Sequence, residues 1–160
     1  MPRSPRPSSP AGNVERTVEH YAGRGRECAY GNLRLVARVA GTVYEDALRP
    51  AKLRAGQLNL MWAIVATEPV EMGQLGDVTL TDATTLSRTV EKLRKARLVD
   101  VRPGRDARRK EVRLTALGRE RFAAAMPYWE AAQRRIADLL SVPDVRALAR
   151  RVRQSAESAA

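Results

Sequence analysis

Asp82-Ala-Thr-Thr-Leu-Ser-Arg-Thr-Val-Glu-Lys-Leu-Arg-Lys-Ala-Arg97 reads as a capped amphipathic helix that turns sharply positive along its length. Leu86, Val90 and Leu93 recur at the spacing that places them on one side of a 3.6-residue wheel, so they face a core. Asp82 is a good N-cap. The opposite side carries Thr84, Arg88, Glu91 and Lys95, flanked by Thr85 and Lys92. The helix leads into a strand at residues 98–102, the basic loop Arg102-Pro-Gly-Arg-Asp-Ala-Arg-Arg-Lys110, and a second strand at residues 111–115. From residue 88 to 113 there are eleven Lys or Arg against four acids, a net +7 out of +11 for the whole 160-residue chain. Charge packed onto a helix followed by a hairpin points to nucleic acid more strongly than net charge alone.

Working outward, residues 27–48 carry Leu33, Val36, Ala37, Ala40, Val43, Tyr44, Ala47 and Leu48 in the order of a one-sided helix, which Pro50 ends. A second helix is expected over residues 55–67, burying Leu58, Met61, Trp62 and Val65. A short third helix covers residues 72–78. After the hairpin, a helix over residues 116–140 buries Leu117, Met126, Trp129, Ile136 and Leu139. Pro143 opens a last helix to residue 155, with Val145, Leu148, Ala149 and Val152 on one side. A 25-residue helix is about 37 Å long, more than so small a domain needs to cover its own core. Long helices at both ends therefore suggest packing against a second copy.

Residues 1–13 hold four Pro, two Arg and three Ser with no apolar run. They read as a disordered basic tail rather than a signal peptide. The tail is drawn through residue 23, with only a weak helical pattern at residues 14–21. No stretch approaches the roughly 20 apolar residues of a membrane span. One Cys and one His exclude a disulfide framework and the usual soft ligand set for zinc, and a reducing cytoplasm is expected. The expected organisation is a tail (1–23), an N-terminal dimerisation helix (24–53), a DNA-binding lobe (54–115) and C-terminal dimerisation helices (116–160).

The order of short motifs is similar to that of the MarR family of winged helix-turn-helix regulators. The resemblance covers roughly residues 28 to 140. It is carried by Leu33-Arg34 with Ala37-Arg38, Ala55-Gly-Gln57-Leu58, Met72-Gly-Gln-Leu75 and Asp82-Ala-Thr-Thr-Leu-Ser-Arg88. Leu93 with Leu98-Val99, Asp106-Ala-Arg108 and Leu114-Thr-Ala-Leu-Gly118 complete it. The resemblance implies a mainly α fold with a small β-hairpin, the winged lobe being flanked by long N- and C-terminal dimerisation helices. It implies a homodimer on a pseudo-palindromic operator, usually a repressor, released by an effector. Two positions depart from the family pattern: Leu80 and Arg97 stand where glycine is common, in turns that suit a left-handed backbone.

The site expectations follow. Thr84, Thr85, Ser87, Arg88, Lys92 and Lys95 are the DNA-facing residues of the reading helix, with Arg88 suited to guanine O6 and N7 and the lysines to phosphate. Glu91 is expected to pair with Lys95 at i+4. In the wing, Arg105, Asp106, Arg108, Arg109 and Lys110 suit a narrow, electronegative minor groove, with Asp106 holding Arg108 or Arg109. Tyr44, Met61, Trp62 and Trp129 are the candidate pocket for a small apolar or phenolic effector. Cys28 is a candidate redox residue, with Arg24 and Arg26 as cationic neighbours. Double-stranded DNA and a second copy of the chain are the expected partners, with no membrane, no metal and no cofactor. Ser-His-Asp, P-loop and metal signatures are missing from the sequence, so no enzyme is expected. Two other readings stand beside this one: a thiol-based peroxide sensor of the same family acting through Cys28, and a non-specific architectural DNA-binding protein, which needs the charge but not the Thr84-Thr85-Arg88 edge.

Overall fold

A computed structural model describes residues 10–104 and 109–157. The chain divides into two compact units, residues 1–40 and 41–160. The first holds α1 (Pro10–Ala22), a 3-10 turn (Arg24–Glu27) and the first part of α2 (Ala29–Leu48). Helix α1 corrects the expectation of a structureless tail through residue 23. Val14 and Val18 are one turn apart and Tyr21 follows on the same side, with Thr17 Oγ1 donating to the Asn13 carbonyl at 2.9 Å. The long helix starts at Ala29 rather than residue 27 because the 3-10 turn takes up the preceding residues. Asn32 Nδ2 bonds the Arg26 carbonyl at 2.9 Å across that junction. The apolar side chains Val14, Val18, Tyr30, Leu33 and Leu35 are all at least half exposed, so the described residues of this unit form helices without a core of their own.

The second unit starts with the end of α2 and continues through α3 (Ala55–Thr67), β1 (Val70–Glu71), α4 (Met72–Thr79) and α5 (Ala83–Lys95). It is completed by β2 (Val99–Pro103), β3 (Lys110–Leu114), α6 (Ala116–Ala137) and α7 (Val142–Glu157). Leu48, Met61, Ile64, Leu75, Leu93 and Val112 are its largest fully buried side chains, one or more from each of α2 to α5 and from β3. The sheet has three strands in the order β1-β3-β2, all antiparallel, with Val101 opposite Val112 and Val70 opposite Val112 on the other side. The expected hairpin thus gains a two-residue third strand, which fixes β3 in the centre.

Two buried faces differ from expectation. In α3, Trp62 and Val65 are about 40% exposed while Leu60 and Ile64 are buried. This helix is apolar almost all round, so periodicity could not choose its inner face. In α6, Leu117 is exposed, Met126 and Trp129 are half-buried, and the fully buried positions are Ala125 and Ala132, while Leu139 lies exposed past the end of the helix at Ala137. Small residues let this helix lie close, and Ile136 alone of the expected large residues is buried. Pro127 lies inside α6 and cannot donate to the carbonyl four residues back.

Three joints position the lobe. Leu80 has φ 49° and Arg97 φ 59°, both left-handed. At the first, Leu80 N bonds Asp77 O at 3.3 Å and Thr81 N bonds Gly76 O at 3.0 Å. At the second, Arg97 N bonds Arg94 O and Leu98 N bonds Leu93 O, both at 2.9 Å. Each is the paired-bond helix ending that glycine usually serves. The chain keeps the geometry at both turns without the residue. The third joint is Gly118, in the first turn of α6. A Cβ there would lie 1.9 Å from the Leu98 carbonyl oxygen, so only glycine lets the helix start against β2.

Candidate nucleic-acid interface

Helix α5 is fixed at its start by its own cap: Asp82 Oδ1 accepts from Thr85 N at 2.9 Å. The backbone N–H and then the side chain of Thr85 hold the Asp82 carboxyl below its ordinary pKa. Thr85 is therefore committed partly to the cap, and Thr84 and Arg88 form the freer part of the edge. Leu86, Val90 and Leu93 are buried, as expected, and Thr84, Thr85, Ser87, Arg88, Lys92 and Lys95 are all exposed. With one face locked in the core, the helix cannot rotate to hide the other.

Glu91 makes the expected i+4 ion pair with Lys95 and a closer one besides. Its principal partner is Arg94 at i+3, with two contacts of 2.8 and 2.9 Å, while Lys95 Nζ stands 3.9 Å away. The hydrogen bond from Arg94 is the main reason the Glu91 carboxyl titrates below its usual value, and the same bond raises Arg94. Lys95 keeps most of its freedom to meet another anion.

In the wing, Arg105, Asp106 and Arg108 lie outside the described residues. Arg109 Nη1 reaches Glu71 Oε2 at 2.7 Å, bridging the wing to β1, and Lys110 is exposed at the start of β3. Gly104 N bonds the Arg109 carbonyl at 2.7 Å and closes the base of the loop. At the root of the wing, Glu68 accepts from Leu114 N at 2.9 Å and pairs with Arg119, tying β3 to α6.

The candidate effector residues are only partly brought together. Tyr44, Trp62 and Trp129 line one cavity of about 410 Å³ with Leu48, Leu58 and Asn59. Trp62 meets Trp129 at 4.9 Å between ring centroids and Phe122 edge-on at 5.3 Å. Tyr44 Oη donates to Gln133 Oε1, and burial raises the phenol pKa. Met61 is fully buried in the core and does not line this cavity, which corrects its inclusion. Cys28 is exposed between the 3-10 turn and α2, while Arg24 is occupied by Glu27 and by the Tyr21 ring. Among the described residues no group of three metal-ligating side chains occurs, and no helix is long and apolar enough to cross a membrane.

Sequence reading missed a second cationic surface. Arg49, Lys52 and Arg54 converge with Lys92 of α5 on one groove of about 560 Å³. Its only sequence signal is the run Arg49-Pro-Ala-Lys-Leu-Arg54, which reads as a linker.

A capped helix with a polar outer edge, preceded by a short helix and followed by an antiparallel wing, defines a winged helix-turn-helix protein. Comparison with known families and structures agrees. A MarR family model matches residues 52–110. The M. tuberculosis transcriptional regulator MosR, solved in complex with DNA, is 34% identical over 82% of this chain and 98% of its own, with a TM-score of 0.74. AbsC of Streptomyces coelicolor, a MarR family transcriptional regulator, is 25% identical over 82% of this chain and 92% of its own, with a TM-score of 0.68. Wild-type MarR of E. coli shares the fold, with a TM-score of 0.63 at 18% identity over 80% of this chain and 96% of its own. No curated protein sequence matches. The chain belongs to the MarR family.

Proposed function

We propose that this chain is a sequence-specific double-stranded DNA-binding transcriptional regulator, a cytoplasmic repressor that acts as a homodimer on a pseudo-palindromic operator. The observation that carries the reading is the edge Thr84–Arg88. It is exposed on a helix whose other face is buried and whose start is pinned by Asp82. Arg88 makes no ion pair among the described residues, so its guanidinium is available to grip a guanine edge. Lys92 and Lys95 follow one and two turns later and meet phosphate, which sets register. The wing, with Lys110 at its base and Arg105 and Arg108 in its loop sequence, serves the neighbouring minor groove. That MosR was solved in complex with DNA supports this reading.

The dimer reading is supported by apolar side chains left uncovered on each unit. These are Leu33 and Val36 on α2, and Val145, Leu148 and Val152 on α7. Residues 24–53 and 116–160 are the segments assigned to that association. The cavity beside Tyr44, Trp62 and Trp129 takes the small apolar or phenolic effector that releases the operator.

Footprinting upstream of the chain's own gene, followed by competition against random duplex, tests the reading. Arg88→Ala is expected to cost about 1–3 kcal/mol on the footprinted site and to relax its selectivity. Operator choice untouched by Arg88→Ala removes base reading from this residue. A wild-type preference ratio near one assigns the chain instead to non-specific DNA coating.

A further inference from the structure

We infer that the groove between the end of α2, the start of α3 and Lys92 of α5 is a second phosphate-binding ledge, which holds the DNA backbone beyond the stretch that α5 reads. The inference rests on the DNA-reading function proposed above and adds residues to it.

Four cations stand around this groove: Arg49, Lys52 and Arg54 in the connection between α2 and α3, and Lys92 on α5. Like charges brought together on an exposed surface repel and give the fold nothing in return. Two of the four are neutralised locally. Asp46 holds Arg49 at 2.7 Å, and Glu45 holds Arg54 at 3.3 Å while accepting from Ala55 N at 3.0 Å. Gln57 Oε1 accepts from Arg54 N at 2.9 Å and fixes the corner. Lys52 and Lys92 make no ion pair among the described residues and are both exposed. The arginines and their acids therefore build the wall, and the two lysines present net positive charge to solvent.

Lys52 adds an independent observation. Its φ is 54°, in the left-handed region where any side chain with a Cβ is strained and glycine is free. Its side chain is exposed, so burial does not offset that strain. The left-handed backbone lets Lys52 N close the turn on the Arg49 carbonyl at 3.0 Å, a task glycine would perform without strain, so the choice of lysine points to what its side chain does. Here that side chain is a cation beside another cation.

Direction decides the partner. Lys92 is one helical turn beyond Arg88 on the flank of the reading edge, so the groove opens beside the path of any duplex that α5 engages. A backbone leaving the reading helix offers phosphates in sequence, which suits several cations spaced round an open groove. The polar lining does not suit an apolar ligand.

The test uses the full chain with Lys52→Ala, Lys92→Ala, the double substitution, and Lys52→Gly. Binding is measured by anisotropy on the footprinted duplex and on a random duplex of equal length, across a series of salt concentrations. Each lysine removed should lower the slope of log affinity against log salt by about one, weaken both duplexes alike, and leave their ratio unchanged. Lys52→Gly should weaken DNA binding while raising the melting temperature, a pairing that a purely structural lysine does not produce. Because Lys92 already meets phosphate from the reading helix, Lys52→Ala decides the matter: a Lys52→Ala variant with the wild-type slope overturns the ledge. So does inorganic phosphate that stabilises the wild type alone while the DNA slope stays fixed, since the groove would then serve a small free anion. Loss of the Arg88 effect sinks base reading but leaves the salt slopes readable, so the two failures separate.

Discussion

Gly118→Ala is the sharpest test of how the wing is mounted. A methyl at this position would lie 1.9 Å from the Leu98 carbonyl oxygen and 2.9 Å from its carbonyl carbon. Ordinary contact is about 3.5–4.0 Å between carbon atoms, so strand and helix must part by more than about 1 Å. Two interactions do not survive that movement. One is the bond from Thr115 N to Leu98 O, now 3.1 Å, worth about 1 kcal/mol. The other is the packing of Leu98, which is 3% exposed; partial unpacking of such a side chain costs about 2 kcal/mol. The expected loss is about 3 kcal/mol, a large part of the roughly 5–15 kcal/mol typical of a domain. For a chain of this size that lowers the melting temperature by roughly 6–12 °C, measured by circular dichroism or calorimetry. Gly56→Ala is the control, since Gly56 is exposed in α3 and a methyl added there would meet nothing within 4 Å. It should gain about 0.5–1 kcal/mol from helix propensity. A Gly118→Ala protein that melts within a degree or two of the wild type would refute the argument that backbone approach dictates this glycine.

Leu80→Gly should stabilise the chain, because the left-handed backbone at φ 49° costs a leucine about 1–2 kcal/mol and the added freedom of glycine in the unfolded chain returns only part of it. A net gain of about 0.5–1 kcal/mol, read as a higher denaturant midpoint at unchanged slope, is expected; a loss would show that the exposed leucine is held by contacts. Asp82→Ala should lower the melting temperature at neutral pH. The folded Asp82 carboxyl titrates below its unfolded value, so the cap contributes above the ordinary carboxylate range and is lost as pH falls through the folded value. The gap between variant and wild type should therefore narrow as pH falls below the ordinary carboxylate range, and a gap that does not narrow with acidification assigns the effect to something other than the charged cap. Small phenols should give a saturable heat on titration, and Trp62→Ala should weaken them up to about tenfold by removing one aromatic wall. Identical isotherms for the two proteins would empty the cavity of its assigned role.

What the sequence made legible is what short-range physics decides. The 3.6-residue rhythm of Leu86, Val90 and Leu93 and the oxygen of Asp82 specify α5 locally, and the structure has both. The Pro-Gly pair at residues 103–104 similarly marked the place of the wing strands. Where the signal is uniform, reading failed: α3 offers apolar residues on every side, and only the surrounding elements choose Leu60 and Ile64 over Trp62 and Val65. In α6 two of the buried positions are alanines, Ala125 and Ala132, which look neutral in a pattern that weighs size. Partners far apart in the chain were invisible, as with Glu71 and Arg109, 38 residues apart. The same holds for the cationic groove, since Arg49, Lys52 and Arg54 carry no meaning until α5 brings Lys92 beside them.

The chain has two tryptophans, and both stand in the wall of one cavity, 4.9 Å apart. All of its indole emission therefore originates from a single place. Any molecule that enters, or any tilt of α6 against α3, changes the light from that pair with no background from elsewhere in the polypeptide. The protein thus carries its own unlabelled optical gauge, sited where an effector is proposed to act.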